Sequence, residues 1–68
     1  MLSGKEVCAI LRKSGFEEVR QQGSHVVMQK KINSGTVTVP VRDHSEIRIG
    51  TLLSIIRQSG VSRSDFEE

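Results

Sequence analysis

Val19-Arg20-Gln21-Gln22-Gly23-Ser24-His25-Val26-Val27-Met28-Gln29-Lys30-Lys31-Ile32-Asn33-Ser34-Gly35-Thr36-Val37-Thr38-Val39-Pro40-Val41 is the stretch that decides the fold. Val26-Val27-Met28 is a β-prone run, and Thr36-Val37-Thr38-Val39 alternates with the period of two that a strand with one buried face requires. Between them Ile32-Asn33-Ser34-Gly35 reads as a hairpin loop. Before them a second tight turn falls at Gln22-Gly23 or Gly23-Ser24. Val19, flanked by Glu18 and Arg20, is compatible with a half-polar strand entering that turn. Pro40 has no N–H to donate, so it ends the third strand or sits at an edge. The pattern predicts an antiparallel three-stranded sheet with strands near 16–22, 25–30 and 36–41. Val37, Val39 and Val41 then share one face, and Thr36 and Thr38 the other.

Helices flank this meander in the sequence. Ser3-Gly4-Lys5-Glu6 has the Ser-x-x-Glu form of a capping box, with Leu2 and Val7 placed to staple across it. Val7, Ile10 and Leu11 share one helical face, and Gly15 supplies a left-handed stop after which Phe16 folds back on Leu11. The spacing predicts a helix near 4–14. Residues 42–49 form a polar connection, and Leu52, Ile55 and Ile56 mark the core stripe of a second helix near 50–59, stopped by Gly60. Ser62-Arg63-Ser64-Asp65 starts a last short turn from which Phe66 reaches back to the body. Taken alone, the pattern is α+β with a meander.

Length and charge bound what such a chain does. With 68 residues it forms one domain, 1–68, whose core is small and whose active site, if it has one, is a shallow surface patch suited to a polymer or a protein. Residues 1–63 hold all ten Lys and Arg against five acids, a net of +5, while Asp65, Glu67 and Glu68 make the end acidic. A basic body fits a polyanion, although ordinary solvated charge explains it as well. Cys8 stands alone, which excludes an intrachain disulfide and reads as a small apolar helix residue. The apolar runs are too short to span a bilayer and no signal-peptide core is evident, so a reduced, cytoplasmic protein with no membrane partner is expected.

His25 is placed by parity. Either reading of the turn pairs residues whose numbers sum to an odd value, so Arg20 and His25 fall on one sheet face. Val19 is then expected on the opposite face with Val26 and Met28. If the helices cover that second face, the imidazole, the one side chain whose unperturbed pKa lies near neutrality, is left reachable by a polymer.

Gly15-Phe16, Arg20-Gln21-Gln22-Gly23-Ser24-His25, Thr38-Val39-Pro40, Gly50-Thr51-Leu52 and Gln58-Ser59-Gly60 form an ordered set. Together they resemble the HicA family of toxins, also called YcfA-like proteins, which are small bacterial mRNA interferases; the resemblance runs from about Ser3 to Phe66. It implies the α-β-β-β-α fold of double-stranded-RNA-binding domains, with both helices on one face of the sheet. It also implies that His25, in the Gly-Ser-His position, is the catalytic residue of a metal-independent endoribonuclease cleaving mRNA. A HicB-like antitoxin covering the His25 face is the implied partner; Val27, apolar yet on that same face by parity, is expected to be part of the docking surface.

RNA cleavage needs little besides a proton-transfer group and cations, because the 2′-hydroxyl already lies beside the scissile phosphate. Arg20 is the nearest candidate to stabilise that phosphate. Ser24, Lys30 and Lys31 are candidate RNA contacts, the lysines tracking the backbone along the strand that carries His25. His44 is either a second acid/base group or a loop histidine capped by Asp43 or Glu46. Gly50-Thr51 either offers helix amides to a phosphate, or Gly50 permits close packing while Thr51 caps the helix.

Several chemistries are excluded. Ser24 and His25 are sequence neighbours whose side chains point to opposite faces of a strand, so they are no nucleophile–base pair. His25, Asp43 and His44 lack metal-ligand spacing, no cofactor motif is present, and no Tyr or Trp is available to stack splayed bases. Two other classes remain: a non-catalytic double-stranded-RNA-binding module, and an interaction module with no nucleic-acid ligand.

Overall fold

The computed structural model describes residues 1–67; Glu68, the last residue of the single domain expected over 1–68, lies outside the described residues. The elements run α1 (Gly4–Lys13), β1 (Glu17–Gln22), β2 (His25–Ile32), β3 (Gly35–Arg42), α2 (Ile49–Ser59) and a 3-10 turn at Arg63–Phe66. The strands form one antiparallel sheet in the order β1-β2-β3. Both helices pack on the face that carries Met28, Val39 and Val41, which gives the α+β architecture of double-stranded-RNA-binding domains.

Local chemistry accounts for the ends of α1. The Glu6 N–H donates to Ser3 Oγ (3.1 Å) and the Ser3 N–H to Glu6 Oε1 (2.9 Å), closing the capping box. That bond from the Ser3 backbone holds the Glu6 carboxyl below the usual carboxylate range. At the other end the Gly15 N–H donates to the Arg12 carbonyl and the Phe16 N–H to the Leu11 carbonyl, both at 3.0 Å, with Gly15 at φ 98. This is the Schellman arrangement, and it drives Phe16 into the core beside Leu11. Helix α2 stops at Gly60, whose φ is 71.

The core joins Val7, Cys8 and Leu11 of α1 to Met28, Val39 and Val41 of the sheet and Ile55 of α2, closed at its edge by Leu2 and Phe66. Cys8 is buried, and desolvation pushes its thiol pKa up, so it serves as a small apolar residue. Ile47 is also buried at 3% exposure, although it belongs to a connection that reads as polar; its N–H donates to the Leu2 carbonyl (2.8 Å).

β1 departs from the expected alternation. A bulge between Glu18 and Arg20 pairs Glu18 with Met28 and Arg20 with Val27, leaving Val19 as the extra residue. Val19 is therefore not on the helix-covered face with Val26 and Met28. It is 48% exposed and lines a hollow with Glu17, Gln29 and Lys31 on the open face. Glu18 takes the helix-side position instead and pairs with Arg12 of α1 at 3.3 Å. Both partners are exposed, so the pair contributes little stability.

Candidate functional site

The turn before β2 is Gly23-Ser24, with Gln22 opposite His25 and Gly23 at φ 56, the positive first central angle of a II′ hairpin turn. At the other end of β2 a two-residue turn at Asn33-Ser34 brings Ile32 opposite Gly35 and, seven residues along, Arg42 opposite His25. The open face is thus built of cross-strand rows. Gln22, His25 and Arg42 form the first, Arg20, Val27 and Pro40 the second, and Gln29 with Thr38 the third, where Gln29 Nε2 donates to Thr38 Oγ1 at 3.3 Å. Lys31 and Thr36 follow.

Arg20 and His25 share this face, as parity requires, in adjacent rows. Directly opposed residues have Cβ atoms roughly 4.5–5.5 Å apart, and diagonal neighbours are roughly 7–8 Å apart. Arg42 is therefore the cation nearest to His25 in the ladder, with Arg20 next. Arg42 was not among the sequence candidates. Its signal was available, since a two-residue turn at Asn33-Ser34 fixes the pairing sum that puts 42 opposite 25.

Val27 lies on this face but is not an exposed docking residue. Arg20 and Pro40 flank it in the ladder and leave it 6% exposed, outside the main core cluster. The two lysines part company. Lys31 is exposed on the open face, whereas Lys30 lies on the helix side, its Nζ 6.0 Å from the centroid of the Phe16 ring and its stem against Gly15. Alternation alone separates them, so only Lys31 shares a face with His25.

Ser24 is exposed in the turn, and its carbonyl accepts from the Asp43 N–H at 2.7 Å. His44 follows in the connection, and its carbonyl accepts from the Gly4 N–H at 2.8 Å. His44 is exposed and lines a hollow of about 270 Å³ with Arg42, Glu46, Ile47, Arg48 and Thr51. The structure thus brings Arg42, but not His44, into the row of His25. At the start of α2 neither packing expectation holds. A Cβ at Gly50 would meet nothing within 4 Å, and the N-cap is Arg48, with Thr51 inside the first turn. Among the described residues no group of three or more His, Cys, Asp and Glu side chains is gathered as a metal ion would need.

A family model described as the HicA toxin of bacterial toxin–antitoxin systems matches residues 4–61. The chain belongs to the HicA toxin family. That span runs from the first residue of α1 to just beyond α2 and contains every residue of the open face. No curated protein matches the sequence. Membership in the HicA family makes the chain a toxin of a toxin–antitoxin system and implies an antitoxin partner. No helix among the described residues is long and apolar enough to cross a membrane.

Proposed function

We propose that this HicA-family toxin is an endoribonuclease that cleaves mRNA in the cytoplasm without a metal ion. The observation that carries the proposal is the placement of His25 in one row with Arg42 and beside the row of Arg20, on a face that neither helix covers. His25 with Arg42 and Arg20 supplies the proton-transfer group and the cations that RNA transesterification uses. His25 takes the proton of a 2′-hydroxyl as O2′ attacks the adjacent phosphorus. The bond from phosphorus to O5′ then breaks, and the imidazolium returns its proton to O5′. A 2′,3′-cyclic phosphate and a 5′-hydroxyl result. Arg42 and Arg20 stabilise the charge that builds on the non-bridging oxygens. Ser24 and Lys31 contact the flanking backbone, and His44 stands apart as a binding group. A HicB-like antitoxin inhibits by covering this face, its acidic groups matched to the arginines.

Single-stranded RNA incubated with the protein in EDTA should be cut, and a 2′-deoxy substitution at each scissile nucleotide should abolish cutting. Salt-dependent binding without cleavage would select the binding-module reading, and cleavage of the 2′-deoxy substrate would reject the attack by O2′. Lys31→Gln should weaken RNA binding and lower the slope of log K against log salt by about 0.7 for one lost single-strand phosphate contact. Lys30→Gln should leave the slope unchanged. Equal effects of the two would show that the sheet face does not define the RNA path.

A further inference from the structure

The hollow between the end of β3 and the start of α2 lies outside the catalytic row, yet it shares Arg42 with it. Its other lining residues include Arg48, His44 and Thr51, with Glu46 as the one acid. Two arginines, a histidine and a threonine along one concavity of about 270 Å³ are residue types whose donors suit a phosphodiester. Arg48 stands at the N-cap of α2, where it makes no side-chain cap, and the first turn of that helix holds no acid. A cation there is the reverse of what the helix dipole favours, so the charge of Arg48 and the helix end both favour an anion at this place.

The hollow is also held fixed relative to His25. The Asp43 N–H donates to the Ser24 carbonyl (2.7 Å), the Gly4 N–H to the His44 carbonyl (2.8 Å) and the Ile47 N–H to the Leu2 carbonyl (2.8 Å). These bonds clasp the connection to the turn before His25 on one side and to the start of α1 on the other. A ligand reaching across β3 from His25 crosses one strand spacing, about 4.8 Å, to Arg42 and then enters the hollow.

We propose that the hollow lined by Arg42, His44, Arg48 and Thr51 holds a second phosphate of the RNA, on the side of the scissile bond away from Lys31. This rests on the reading of the chain as a ribonuclease. The strand then runs obliquely over the sheet, from Lys31 past Arg20 and His25 to the mouth of α2. Arg48 and His44 act as binding residues that fix the register of the RNA and take no part in proton transfer.

The test compares Arg48→Gln and Arg48→Glu with Arg57→Gln, which removes the same charge from the last turn of the same helix. Binding of a fluorescent single-stranded RNA oligonucleotide is measured against KCl concentration, with melting temperature recorded alongside. Arg48→Gln should lower affinity roughly threefold to tenfold and reduce the salt slope by about 0.7, and Arg48→Glu should lower affinity further. Arg57→Gln should leave the slope unchanged. Equal losses for Arg48→Gln and Arg57→Gln in a protein that still binds and cuts RNA would overturn the subsite alone. A wild-type protein that neither binds nor cuts RNA would overturn both the subsite and the ribonuclease reading.

Discussion

Gly4→Ala should destabilise the protein by about 3 kcal/mol or more, at the upper end of what overpacking costs. A Cβ at this position would collide with the Arg42 carbonyl oxygen and lie 3.0 Å from the Asp43 Cα. Both contacts are backbone, so no side-chain rotation relieves them. The start of α1 must move away from the end of β3, and the bonds from the Gly4 N–H to His44 and from the Ile47 N–H to Leu2 then lengthen, each worth about 1 kcal/mol. A domain of this size has a total stability of only about 3–10 kcal/mol. The melting temperature should fall by roughly 12–24 °C, taking about 4–8 °C per kcal/mol for a small domain. A change of only a few degrees would show that α1 and β3 are not clasped as described. The same segment carries Arg42 and His44, so the variant should also lose RNA affinity in whatever fraction stays folded.

Gly4 shows what the sequence does and does not disclose. As one residue of a capping box it reads as a good helix start, but the approach of a carbonyl 38 residues later leaves no local trace. Signals that act within one turn or one hairpin were legible: the Ser3–Glu6 box, the Gly15–Phe16 stop and the placement of Arg20 with His25. The phase of β1 was not. Glu18-Val19-Arg20 offers a single apolar residue with no alternation to fix its face, and the bulge that turns Val19 outward is visible only once Met28 has chosen Glu18 as its partner. Ile47 was hidden for a similar reason, being one apolar residue in a polar run, anchored by a backbone bond to Leu2. At the candidate site Arg42 is hidden because Pro40 marks a strand end and Arg42 opens a polar run, so only the pairing with His25 shows that β3 continues to it. Lys30 and Lys31 look alike as a basic pair, but strand alternation sends them to opposite faces.

His25→Ala should fold, bind RNA and lose cleavage. The ring is only half-buried, on the face opposite the core, and the main cluster does not include it. Its removal therefore opens no core cavity, and the stability change should stay within about 1 kcal/mol. Proton transfer by a positioned side chain is worth about 10²–10⁴-fold in rate, so the loss in activity should be of that order. RNA binding should persist because Arg20, Arg42 and Lys31 remain. His44→Ala, placed in the hollow beside Arg48, should weaken binding and leave the cleavage step of bound RNA nearly unchanged.

The most direct measurement is the single-turnover rate of RNA cleavage in EDTA, at saturating protein, for the wild type and His25→Ala, with the melting temperature of each determined in the same buffer. The account predicts a loss of at least about 100-fold for His25→Ala with a melting temperature within about 8 °C of the wild type. A folded His25→Ala protein that cuts RNA at the wild-type rate would contradict it.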